Sequence, residues 1–251
     1  DGNIRFLDLE NGKILMEKHT YGNEVSALAI SADGSYVVSA SVFLSGEVLT
    51  DEDGYFDHCP FAVGVVELWN RGEPVPAFKL KKPDHIDYEF GYLTSVAFSF
   101  SHSVSLSTHY LITGGCQCSC STHKSPHPES LGEITIWVIS FNDLTKIKFK
   151  KAIHTSSVVN SVVLSHNNQF IVAGTSDGKV CMWDISSLDE NDLVSIELLN
   201  LPTTKINSVV LSNNDQLVVA GSSDGITRVL NIEENSVTQL IGNNSMIKSV
   251  A

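Results

Sequence analysis

Apolar and polar positions alternate in short bursts along Val158 to Ile185, which reads VVNSVVLSHNNQFIVAGTSDGKVCMWDI. A β-branched run, Val158 to Leu164, stops at the polar cluster Ser165-His166-Asn167-Asn168. A second run, Gln169 to Ala173, is bounded by Gly174 and then by Ser176-Asp177-Gly178. Asp-Gly suits the positive φ of a tight hairpin, so this run is expected to turn straight back into a third, Lys179 to Ile185. Runs this short, punctuated this regularly, predict an all-β domain.

The pattern recurs. INSVVLSNNDQLVVAGSSDGITRVLNI, Ile206 to Ile232, repeats it 47 residues on, from Ser161 to Ser208. Looser copies lie upstream: LTSVAFSFSH, YLITGG and GEITIWVIS between Leu93 and Ser140, and VSALAISADGSYVVSAS with GVVELWN between Val25 and Asn70. Partial copies stand at DGNIRFLDL (Asp1 to Leu9) and MIKSVA (Met246 to Ala251). A period of roughly 40–45 residues with such turns marks propeller blades. The copies resemble the WD-repeat family, whose members fold as β-propellers of four-stranded blades and mostly act as platforms for protein interaction. The resemblance covers the whole chain, read as one domain, residues 1–251, and it speaks more to fold than to function.

Two copies are interrupted between their second and third strands, at residues 42–63 and 116–131, while the last two are compact. Inner strands are expected at residues 25, 93, 158, 205 and 246, and third strands ending at 9, 70, 138, 185 and 232. Second strands are expected only near 38, 112, 171 and 218. The strand beginning at Met246 thus lacks its partner, and the simplest expectation is part of a larger, seven-bladed propeller.

The resemblance also implies a set of structural side chains. The family knits each blade with a His before the inner strand, a Ser or Thr on the second, an Asp in the hairpin and a Trp on the third. His154, Asp177 and Trp183 match in one blade, with Ala173 where a hydroxyl is expected. Asp224 matches in the next, with Ala220 and Leu230 elsewhere in the pattern. Trp69 and Trp137 match on third strands, and Leu7 replaces the Trp in the first copy. A buried polar chain is worth most when complete, so packing is expected to carry much of the blade rigidity.

Charge narrows the partners. A formal net charge of −13 argues against nucleic acid, whose phosphates need a basic footprint. Two lysine runs, Lys79 to Lys82 and Lys146 to Lys151, alternate with apolar residues as a half-wet outer strand would. Lysine on a sheet edge discourages edge-to-edge pairing. A lipid- or polyanion-binding role on those strands is the alternative, and the Phe-Arg-Arg-Gly motif of the phosphoinositide-binding branch is absent. No apolar run approaches the roughly 18 residues of a bilayer span and no secretory leader is seen. With five cysteines in no disulfide framework, the chain reads as intracellular, most simply cytoplasmic.

Two clusters raise metal chemistry. Cys116, Cys118, Cys120 and His123 offer a zinc-type ligand set, against which stands the one-residue spacing where two to four is usual. Asp51-Glu52-Asp53-Gly54 opens like a calcium loop but lacks the twelve-residue pattern. Phosphate-binding, nucleophile-elbow and zincin motifs are absent, and the inner strands cluster no His, Asp or Glu. An enzymatic propeller with a metal site is therefore the weakest reading; no cofactor is expected and a small-molecule substrate is disfavoured.

The remaining reading is a non-catalytic scaffold. Equivalent hairpins of adjacent blades emerge on one face, and in the family that face also carries the loops entering the inner strands. Tyr21, Tyr55, Phe56, Phe61, Tyr88, Phe90 and Tyr92 fall in those segments, among acids at 51, 52, 53, 57, 84, 87 and 89. Aromatic anchors in an acidic surround suit a basic protein partner.

Overall fold

The computed structural model describes residues 2–20, 24–31, 34, 36–44, 62–70, 78–80, 92–99, 108–116, 131–140, 147–186, 188, 193–241 and 245–251. β1 (Asn3–Leu7) and β2 (Ile14–His19) pair as a two-stranded sheet. Four antiparallel four-stranded meanders follow. The first is β3 (Glu24–Ile30), β4 (Tyr36–Leu44), β5 (Ala62–Asn70) and β6 (Phe78–Leu80). The second is β7 (Leu93–Phe98), β8 (Thr108–Cys116), β9 (Gly132–Ser140) and β10 (Lys148–Thr155). The third is β11 (Val159–Leu164), β12 (Phe170–Thr175), β13 (Lys179–Asp184) and β14 (Ser195–Asn200). The fourth is β15 (Ile206–Leu211), β16 (Leu217–Ser222), β17 (Ile226–Asn231) and β18 (Ser236–Ile241). Each meander spaces its strands as the repeat anticipates.

Three differences from the sequence reading have physical causes. Met246 to Ala251, read as a strand, forms none; a strand needs a ladder partner, and this segment has only a sheet face to lie on. Its backbone is held on that face by Ile247 N–H donating to Ser222 O (3.0 Å). The compact hairpins owe their positive φ to Gly178 (88°) and Gly225 (79°) alone, not to Asp-Gly as a pair. The interrupted hairpins pair further than expected, to Leu44 opposite Ala62 and Cys116 opposite Gly132.

The core lies between sheets. One cluster joins Val38, Ala40 and Leu68 of the first meander to Leu93, Val96, Phe98 and Trp137 of the second. The next joins Ile112, Ile134 and Ile136 to Val159, Val162 and Trp183, and a third joins Val172 and Val180 to Ile206, Val209 and Leu230. Ile4 of β1 packs with Val37 and Trp69. Each third-strand Trp position thus faces the preceding sheet, and burial of its large apolar surface holds consecutive sheets together.

Glycine sets how closely the sheets approach. A Cβ on Gly114 would sit 2.6 Å from Val162 Cγ1, on Gly174 2.4 Å from Ile206 Cγ2, and on Gly221 2.6 Å from Ile247 Cγ2. Across each gap run repeated hydrogen bonds. Asn160 Nδ2 donates to Ile206 O and Asn207 Nδ2 to Ile247 O, both at 2.8 Å, and Thr94 Oγ1 donates to Val159 O. The next hydroxyl accepts from the following sheet: Val162 N–H to Ser95 Oγ (3.0 Å), Val209 N–H to Ser161 Oγ (3.1 Å), Val250 N–H to Ser208 Oγ (3.2 Å). In β3 that hydroxyl position holds Ala27, which has nothing to offer the next sheet. Leu28 and Ile30 are about half exposed, although the matching Val162 and Leu164 are covered by the preceding meander.

Candidate functional site

The second, third and fourth meanders tie the turn after the second strand to the loop entering the inner strand. In the second, Cys116 N–H donates to Tyr92 O (3.0 Å) and Tyr92 N–H to Cys116 Sγ (3.2 Å). In the third, Ser176 N–H donates to Val158 O (2.9 Å). In the fourth, Ser223 N–H donates to Lys205 O and Lys205 N–H to Ser223 Oγ, both at 2.9 Å. The two kinds of loop therefore share one end of every sheet, and the interrupted hairpins open there.

Glycine permits the close approach. A Cβ on Gly115 would lie 2.2 Å from Tyr92 O, and one on Gly132 2.1 Å from Ser157 O. The 116–131 segment therefore springs from a base held between Tyr92 on one side and Ser157 on the other. The first and second sheets meet at the same end. Glu24, which pairs with Val42 at the root of the other interrupted hairpin, lies close enough to act on Tyr92. Burial pushes the Tyr92 phenol up from its ordinary value, and the Glu24 charge, then Cys116, push it further.

Of the seven aromatics singled out, Tyr92 is placed, with 37% of its surface exposed. Tyr21, Tyr55, Phe56, Phe61, Tyr88 and Phe90, and the acids at 51, 52, 53, 57, 84, 87 and 89, lie outside the described residues. So do Cys118, Cys120 and His123 of the zinc-type set. Among the described residues no group of three or more His, Cys, Asp or Glu is gathered as metal ligands would be.

The blade-knitting residues are more fully placed. Asp177 accepts from Thr175 Oγ1 (2.5 Å) and from Ser156 Oγ (3.0 Å). Ser156, two residues beyond His154, thus reaches the hairpin Asp. His154 stands on outer strand β10, its side chain 55% exposed and 3.9 Å from Glu133. Trp69 Nε1 donates to Ser39 Oγ (2.9 Å) in a buried pair. Ala173 and Ala220 occupy the corresponding register positions on β12 and β16, so neither offers that acceptor. Trp137 packs edge-on against Phe149, ring centroids 5.7 Å apart, and Trp183 is buried. Cys181, read as a small buried hydrophobe, is half-buried; burial, then the charge of Glu197, push its thiol up to about 11. It is a poor nucleophile.

The fourth meander holds a cluster that the sequence did not reveal. Arg228 on β17 is buried, and its guanidinium reaches Asp224 Oδ2 and Ser222 Oγ, both at 2.7 Å. Ser222 in turn donates to Asp224 Oδ1 (2.6 Å). The Arg228 hydrogen bond, with help from Ser222 and the Ile226 N–H, holds the Asp224 carboxyl down at about 2 against the opposing effect of burial. This is a turn-fastening ion pair, closed to substrate. The signal for it was Arg at the third-strand position where the first and second meanders bury Glu67 and Thr135.

Four-stranded antiparallel meanders packed face to face, each inner strand against the next, define β-propeller blades. The WD domain, G-beta repeat, matches residues 12–45, 148–184 and 196–231; the chain is a WD-repeat protein. Each matched stretch begins at or beside an outer strand and runs into the following blade. No curated protein matches the chain. Among solved structures it resembles the Cps50 (Swd1) β-propeller domain of Myceliophteria thermophila, with a TM-score of 0.60 at 15% identity. The match covers 89% of this chain and 57% of that one. At that identity the likeness speaks to fold alone. No helix among the described residues is long and apolar enough to cross a membrane.

Proposed function

We propose that the chain is a non-catalytic scaffold that docks a basic protein partner on the face carrying the 42–63 and 116–131 segments. The carrying observation is the meeting of Glu24, Tyr92 and Cys116 at the shared root of these segments. It supports a continuous face across two adjacent blades, where loops on a rigid frame suit recognition. Aromatic residues with few rotatable bonds anchor interfaces well, and the acids of these segments would speed the approach of a cation-rich surface.

The test replaces both segments with the Ser-Asp-Gly turn of the compact blades, joining Ser41 to Val65 and Gly115 to Glu133. These are the positions that Thr175 and Lys179 hold in the third meander. Affinity capture with the parent chain and the double replacement, read by mass spectrometry, is expected to lose the same basic partner with the fold intact by circular dichroism. Undiminished capture by the double replacement refutes the docking face. Retention that depends instead on Lys148, Lys150 and Lys151, abolished by salt, favours a polyanion on outer strand β10.

A further inference from the structure

The outer strands of the five sheets are not alike. An edge strand presents a row of N–H and C=O groups to any extended chain, and proteins protect such edges with charge, brevity or bulges. β2 carries Glu17 and Lys18 and pairs through an irregularity at Phe6/Leu7. β6 is three residues long. β10 carries Lys148, Lys150 and Lys151 with a shift at Phe149/Lys151. β14 carries Glu197, and its pairing shifts at Val180/Cys181. β18, SVTQLI, has none of these devices. It pairs with β17 without a break over six residues, and Ser236 to Leu240 are all exposed, Val237 by 43% and Leu240 by 53%.

We infer that β18 is a self-association edge, pairing antiparallel with β18 of a second copy. The orientation follows from charge. Parallel pairing would set Glu233 and Glu234 of the turn before β18 against the same acids of the other copy. Antiparallel pairing sends the two pairs of acids to opposite ends of the shared ladder, a strand length apart. Within the strand no charged group faces another, so like-charge repulsion across the ladder is absent. Self-pairing closes at two copies about a two-fold axis, whereas β18 on β14 would be head-to-tail and would propagate. A two-fold normal to the sheet keeps the two faces matched only when it passes through a residue. On a six-residue strand the central choices are Thr238 and Gln239. The contact is one ladder of about five residue pairs, well below a standard interface of about 1,600 Å², so association is on the order of micromolar to millimolar.

Sedimentation equilibrium of the 251-residue chain up to about 1 mM tests this range of affinity directly. Monomer–dimer behaviour is expected, weakened about tenfold or more by Thr238→Lys or by Gln239→Lys, whichever residue lies on the two-fold and so sets two cations face to face. Ile196→Lys on β14 is expected to leave association unchanged. Opposed Cα atoms in an antiparallel pair lie about 4.5–5.5 Å apart, within reach of a disulfide. Under mild oxidation Thr238→Cys or Gln239→Cys should therefore give a reducible dimer faster than Ile196→Cys. Three results overturn the inference: a monomer throughout, Thr238→Lys and Gln239→Lys both associating like the parent, or neither central cysteine cross-linking faster than the β14 control. A monomeric chain that instead accepts a foreign extended peptide at β18 also overturns it.

Discussion

Removing either partner of the Arg228–Asp224 pair should have unequal consequences. Arg228 is 5% exposed at its side chain and Asp224 27%. Asp224→Ala strands a buried guanidinium on two neutral acceptors, Ser222 Oγ at 2.7 Å and the Ile226 carbonyl at 3.5 Å. Breaking a buried pair from one side costs about 3–5 kcal/mol, and the partly wet carboxylate position places this near about 3. Arg228→Leu removes the buried charge together with its desolvation cost. It leaves Asp224 accepting from Ser222 Oγ and the Ile226 N–H (3.0 Å), so a loss of about 1 kcal/mol is expected. The double variant should be more stable than Asp224→Ala alone. The pair also has a pH signature. The Asp224 pKa lies at about 2, below its ordinary 3.8. Its stabilisation is therefore complete above about pH 4 and is lost as pH falls through about 2. With solvent screening at the partly exposed carboxylate, that loss is about 1–2 kcal/mol. Urea unfolding of parent, single and double variants at neutral pH and across pH 4 to 2 measures both effects. Arg228→Leu costing more than Asp224→Ala would refute the reasoning, as would a parent–Arg228→Leu difference that stays constant down to pH 2.

Two further expectations concern the seams between sheets. Gly174→Ala should destabilise by about 1–3 kcal/mol, because the new Cβ must displace Ile206 and Val209; an unchanged denaturation midpoint would show that the third and fourth meanders can separate freely. Trp183→Ala, removing a buried ring that packs toward the second meander, should cost about 3–5 kcal/mol, and a loss under about 1 kcal/mol would contradict its burial.

The repeat made the strands legible. Ser-Asp-Gly turns and the short β-branched runs determine local pairing by themselves, since a hairpin is fixed by its turn and the strands that flank it. β11 to β13 and β15 to β17 accordingly lie within two residues of where the pattern placed them, a margin usual for element ends. The candidate face was legible only in outline. Tyr92 could be assigned to a loop entering an inner strand, but its contact with Cys116 and the nearby charge of Glu24 depend on two sheets meeting.

The sequence by itself thus determined the meanders, their turns and the acidic character of the chain. Tertiary packing decided what each side chain meets. Both faces of the second and third meanders are covered by neighbouring sheets, so the usual alternation of buried and wet positions is lost there. Arg228 is buried and Leu28 half exposed, the reverse of what hydropathy assigns to either. The same cause settles Met246 to Ala251. Its apolar residues suffice to lie against Gly221 and β15, but without a neighbouring strand to complete the backbone ladder they do not form one.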